Sequence, residues 1–269
     1  MPLVPVNGVR LLVEESGAGE PLVLVHGSWD DRTVWAGVEG ELARDLRVVS
    51  YDRRGHSDSG DGAGPGSRRD DEEDLAALIE ALAIAPAHVA ANSFGASVAL
   101  GMAARHGDLV RSLCAHEPPL VSLAPGDPGV ARFLADIDEV LPMIDRGEAE
   151  AAAREFVERV IAPGVWEHVS RQERTMMAAN AGTFAGEVRD PDWPVIELAP
   201  LAAPRFPVVL TRGDASLPMF GAIMARLSEA MPRAEVRTIP GAGHVPHATH
   251  PSEWAAAVRA ATGAAVSRS

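Results

Sequence analysis

A chain of 269 residues is long enough to bury a substantial core, and its 46% hydrophobic content is that of a globular protein. The formal net charge of −14 excludes nucleic acid and anionic membrane as partners, because both would be repelled. The single Cys114 excludes an internal disulfide, and no apolar run approaches the roughly 18 residues that span a bilayer, so a cytoplasmic protein is expected.

The first elements form a hairpin: Val4 to Val6, a turn at Asn7-Gly8, then Val9 to Val13. Pro21 to Val25 is a continuous apolar run, as expected of a strand covered on both faces. Similar runs follow at Leu46 to Tyr51, His88 to Ala91, Val110 to Ala115, Pro207 to Thr211 and Ala234 to Ile239. Gly60 to Gly66 reads as a short flexible loop. Asp70 to Ala83 reads as a helix with Leu75, Leu78, Ile79 and Leu82 on one face, its acidic start solvated and matched to the helix dipole. Strands alternating with helices imply an α/β fold with a mainly parallel sheet. From Leu120 to Leu201 only helical pattern appears, including Phe133 to Ile144 and Glu148 to Ile161. The expected division is a core of residues 1–119 and 202–269 with a helical cap of residues 120–201 over the sheet's C-terminal edge, where open α/β sheets bind ligands.

Three motifs carry chemistry. Ala91-Asn92-Ser93-Phe94-Gly95 joins a strand to a helix, with small residues two before and two after the serine. Such a turn is so tight that larger side chains would collide, and it projects the hydroxyl towards a helix N-terminus. His26-Gly27-Ser28-Trp29 ends an earlier strand, and Asp52-Arg53-Arg54-Gly55-His56-Ser57-Asp58-Ser59 follows the next as a structural turn. His244 lies on the glycine-rich loop Gly241-Ala242-Gly243-His244 after the last strand, well placed as a base; His247 and His250 stand further out.

With these motifs in this order, the chain resembles the capped α/β-hydrolase superfamily over nearly its whole length. The resemblance implies Ser93 as nucleophile, His244 as base, and the backbone N–H groups of Ser28 and Phe94 as an oxyanion hole. It departs from the family pattern at Ala91, where glycine is usual, at Ser57, and at the acid. The usual acid position after the penultimate strand holds Ser216, in Gly213-Asp214-Ala215-Ser216. Two carboxylates are candidates. Glu117 ends the strand after the nucleophile helix, where several haloalkane dehalogenases carry their acid, and is ranked first. Asp214 is the alternative, on the usual loop but two residues early.

The expected reaction is two-step acyl transfer on an ester, lactone or related carbonyl bond of a small apolar molecule, with no metal or organic cofactor. Trp29, Phe133, Met143 and Met177 are the expected substrate contacts, with Leu134, Met176 and Phe184 near them. The alternatives are a cofactor-independent lyase, perhydrolase or oxygenase, and a non-hydrolytic small-molecule receptor. Oligomeric state is left open.

Overall fold

The computed structural model describes residues 2–60 and 66–263; the loop expected at Gly60 to Gly66 lies mostly outside them. Among the described residues eight strands form one sheet: β1 (Leu3–Val6), β2 (Val9–Ser16), β3 (Glu20–Val25), β4 (Leu46–Tyr51), β5 (Ala87–Asn92), β6 (Val110–His116), β7 (Val208–Gly213) and β8 (Glu235–Ile239). Their order is β1-β2-β4-β3-β5-β6-β7-β8. The hairpin β1–β2 is antiparallel with Val6 opposite Val9, and β2 runs antiparallel to β4. Every pairing from β4 to β8 is parallel.

Among the described residues ten α-helices accompany the sheet. They are α1 (Ala36–Leu42), α2 (Arg68–Ala81), α3 (Phe94–Arg105), α4 (Pro128–Asp145), α5 (Ala149–Phe156), α6 (Arg171–Ala179), α7 (Ala181–Arg189), α8 (Pro218–Ala230), α9 (Pro246–Thr249) and α10 (Pro251–Thr262). Alternation in β3 explains its unbroken apolar run. Val23 and Val25 pack with Leu75, Leu78 and Val98 of α2 and α3, while Leu22 and Leu24 pack with Trp35, Val38 and Trp254 on the other face. A strand covered on both sides has no polar face to show. Between β6 and β7 the chain forms only helices and helical turns, α4 to α7 among them. No helix among the described residues is long and apolar enough to cross a membrane.

α2 corrects one expectation. Ser67 caps it, accepting from the Asp70 N–H at 3.1 Å while the Asp70 carboxylate accepts from the Ser67 N–H at 2.9 Å. The acidic run that follows is largely buried rather than solvated. Asp71 pairs with Arg53 at 2.8 Å, Asp74 with Arg54 at 2.8 Å, and Glu72 with Arg68 and Arg105. Apart from Arg68, one turn earlier on α2 itself, the cations come from distant parts of the chain, so buried charge is compensated by pairing rather than by water.

Candidate active site

All parallel strands end on one edge of the sheet, and the motif residues gather there because β3, β5, β6 and β8 each hand over to a loop at that edge. Ser93 follows β5 with φ 55° and ψ −127°, a strained conformation for a residue with a Cβ. Gly95 shows why the turn needs small residues. A Cβ there would lie 2.3 Å from the His26 carbonyl oxygen and 2.4 Å from that of Val25. Both are backbone atoms that cannot step aside, so Gly95→Ala is expected to cost about 3 kcal/mol. Thermal unfolding should show Tm lowered by about 10 °C; a Tm within about 2 °C of the parent would refute this reading of the turn.

Ser93, His244 and Glu117 are linked by hydrogen bonds. His244 Nε2 lies 2.9 Å from Ser93 Oγ, and His244 Nδ1 lies 2.7 Å from Glu117 Oε2. Glu117 is fully buried at the end of β6, and its Oε1 accepts from the Gly213 N–H at 2.8 Å. Burial alone would raise the Glu117 carboxyl; bonding by His116 and His244 outweighs it and holds the group well below the usual carboxylate range. An ionised carboxylate only accepts, so Nδ1 of His244 carries the proton and Nε2 is free to accept from the Ser93 hydroxyl. The arrangement can therefore deprotonate an attacking serine.

Asp214 takes no part in this chain. It is exposed, and its carboxylate accepts from the Gly241 N–H at 2.6 Å, bracing the loop that carries His244. Ser216, at the usual acid position, has a buried hydroxyl without a hydrogen-bond partner among the described residues. His250 is likewise remote, bonded to Thr249 Oγ1.

Phe94 opens α3, and a first-turn N–H has no acceptor one turn earlier. Neither that N–H nor the Ser28 N–H meets an acceptor among the described residues. The loop holding Ser28 is fixed from behind by Arg53, which donates to the carbonyls of His26 and Gly27, both at 3.1 Å, and pairs with Glu187 of α7. Ser28 Oγ donates to the other Glu187 oxygen at 2.5 Å. His26 is a buried structural residue: its Nε2 accepts from the Arg53 N–H at 2.9 Å, and burial lowers its pKa well below the ordinary value.

Ser93 opens into a cavity of about 180 Å³ lined by Trp29, Phe156, Val165, Val169, Met176 and Met177, with Ser28 and His244 at its base. Trp29 is fully buried and stacks on Phe184 at 4.7 Å between ring centres. Phe133, Phe184 and Phe220 line a smaller void that also reaches Ser93. Met143 lines neither. The buried stripe of α4 runs through Val130, Phe133, Ile137 and Val140, and Met143, beyond Pro142, packs half-buried against the hydrophobic core. Leu134 faces outward, 39% exposed.

Several residues here carry no sequence signal. Asn92 Nδ2 donates to the His244 carbonyl at 3.0 Å, and the Phe220 ring stacks on that of His244 at 4.4 Å. The fold also brings His116, Glu117 and His244 within 4.8 Å of one another at their ligand atoms, a metal-type grouping that sequence spacing does not reveal.

A mainly parallel eight-stranded sheet with a strained serine turn at its carboxyl edge defines an α/β-hydrolase. The chain belongs to the alpha/beta hydrolase family, whose model matches residues 22–258. It is similar to 2-hydroxymuconate semialdehyde hydrolase of Pseudomonas sp. (strain CF600), 40% identical across 39% of this chain and 39% of that protein. The chain thus spans about two fifths of that relative's length in the match. It is 28% identical to 2-(acetamidomethylene)succinate hydrolase of Mesorhizobium japonicum (strain LMG 29417 / CECT 9101 / MAFF 303099) across 90% of this chain and 87% of that one. The solved structure of an alpha/beta hydrolase from Sphaerobacter thermophilus DSM 20745 superposes with a TM-score of 0.73 at 28% identity, covering 88% of this chain and 91% of that chain.

Proposed function

We propose that this protein is a cytoplasmic serine hydrolase that cleaves an ester, lactone or related carbonyl bond of a small, largely apolar molecule. The observation that carries the reading is the hydrogen-bonded chain from Glu117 through His244 to Ser93, ending at an apolar cavity. Relatives named as hydrolases support the reaction class.

His244 Nε2 takes the Ser93 proton as Oγ attacks the carbonyl carbon. The N–H groups of Ser28 and Phe94 receive the oxyanion, each such donor lowering the barrier by about 3–4 kcal/mol. The imidazolium, balanced by Glu117, then protonates the leaving oxygen and the acyl-enzyme forms. Water, deprotonated by the same nitrogen, attacks the acyl carbon and Ser93 recovers its proton. Residues 120–201 act as a helical cap on a core of residues 1–119 and 202–269. Trp29, Phe133 and Met177 contact the substrate, and the cap excludes bulk water from the oxyanion.

A fluorophosphonate probe tests this directly. Peptide mapping is expected to find the label on Ser93, and labelling should vanish in His244→Ala. Intact protein after prolonged exposure to the probe would overturn the proposal.

A further inference from the structure

The Ser93 cavity holds an ionisable group that the reaction above does not use. Asp30 lines it, half-buried, and its carboxyl has no hydrogen-bond or ion-pair partner among the described residues. The neighbouring Asp31 differs: its carboxylate accepts from Thr33 Oγ1 at 2.5 Å and Ser57 Oγ at 2.9 Å. Asp30 is anchored through its backbone, whose carbonyl accepts from Asn180 Nδ2 at 2.9 Å. A methyl group placed on Gly27 would sit 3.1 Å from Ser93 Cβ and 3.6 Å from Asp30 Oδ2. The carboxyl and the serine therefore flank the same point of the loop.

Nothing cationic offsets it inside the cavity. The chain contains no lysine, and among the described residues no arginine lines the space. The basic side chains there are His244, engaged by Glu117, and His247, whose pKa burial lowers to about 3. Glu173 of α6 adds a second carboxylate at the wall. The charged groups around Asp30 are Asp31 beside it, Arg53 behind the loop, Glu187 of α7 and Glu173 of α6. Arg53 is already paired with Asp71 and Glu187.

We propose that Asp30 sets the charge selectivity of this cavity, admitting esters that are uncharged or carry an ammonium group and turning away those that carry a carboxylate. The inference rests on the Ser93 hydrolase reading for its substrates. An anion entering the site meets an unpaired carboxylate with poor access to water, where like-charge repulsion is weakly screened. An ammonium group would find there the partner that the protein does not supply. Burial first, and Asp31 next, raise the Asp30 pKa to about 7, so the selectivity is fullest above neutrality.

Three p-nitrophenyl esters of matched length separate the cases: hexanoate, 6-aminohexanoate and the adipate monoester. At about pH 8.5, where Asp30 and free carboxylates are both ionised, kcat/KM for the adipate monoester is expected to fall at least about 30-fold below that for hexanoate. In Asp30→Asn that gap should close about tenfold, and the aminohexanoate ester should lose about tenfold relative to hexanoate. Glu173→Gln, which keeps its helix cap, should move both ratios the same way by less. Adipate turnover within about threefold of hexanoate, or ratios unmoved in Asp30→Asn, would overturn the proposal. Fluorophosphonate labelling separates its failure from that of the hydrolase reading. If Ser93 is unlabelled, the hydrolase reading fails and thermal shifts decide Asp30: hexylammonium must raise Tm more than hexanoate in the parent and not in Asp30→Asn. Equal shifts, or none, overturn it.

Discussion

Ser93→Ala is expected to lower kcat on a p-nitrophenyl ester by at least about 10⁴-fold while leaving the protein folded. Among the described residues the other hydroxyls at the cavity are engaged, Ser28 Oγ by Glu187 and Thr33 Oγ1 by Asp31, and Cys114 is buried in β6 with its thiol pushed up to about 12. The residual rate would come from oxyanion stabilisation and binding, which the substitution leaves intact. His244→Ala should be comparably damaging, and the double variant no worse than either single one, because attack and proton transfer are one event. Alanine at position 93 keeps the backbone strain and loses little packing, so Tm should shift by no more than about 2 °C. These numbers also bear on other chemistries of this fold. A lyase, perhydrolase or oxygenase that needs only His244 as base would retain its activity in Ser93→Ala. Ester hydrolysis surviving within about tenfold of the parent would therefore exclude an acyl-enzyme on Ser93.

The parts of the molecule legible in sequence are those set by local sterics and by burial on two faces. β3 from Leu22 on and β5 read clearly because they are buried on both sides of the pleat and mostly apolar, with His88 and Asn92 the polar members of β5. The serine turn read clearly because Gly95 must clear two backbone carbonyls. Long-range pairing was hidden. The acidic start of α2 looked solvated because Arg53, Arg54 and Arg105 reach it from outside the helix. Met143 follows the apolar pattern of α4 into its last turn, where the packing partner is the hydrophobic core rather than a cavity. Asp30 stands directly after the His-Gly-Ser-Trp motif; its neighbour Asp31 finds a local partner in Thr33, two residues on, and a distant one in Ser57, which its own segment does not reveal. Choosing between Glu117 and Asp214 requires knowing where each side chain ends, because Glu117 follows β6 and Asp214 follows β7 while His244 follows β8, two strands and one strand away respectively.

Glu117→Gln is expected to lower kcat by about 10³–10⁴-fold, with Asp214→Asn costing no more than about tenfold. The reason lies in how the two Glu117 oxygens are used. Oε1 accepts from the Gly213 N–H, so the amide oxygen of a glutamine must face Gly213. Its NH₂ group then points at His244 Nδ1, which must lose its proton to accept the bond. The proton moves to Nε2, the nitrogen that has to receive the Ser93 proton, and the imidazole is locked in the unproductive tautomer. Glu117→Asp keeps the charge and so avoids this inversion. It is one methylene shorter and cannot serve Gly213 and His244 at once, so its activity should fall between the parent and Glu117→Gln. Stability separates the variants as well. The depressed carboxyl contributes stability above the unfolded-state pKa of about 4.3 and loses it as pH falls through the lower folded value. The stability difference between parent and Glu117→Gln should therefore be full at neutral pH and shrink below about pH 4. A loss of activity in Asp214→Asn matching that in Glu117→Gln would assign the acid to the wrong carboxylate, since Asp214 reaches His244 only through the bracing of Gly241.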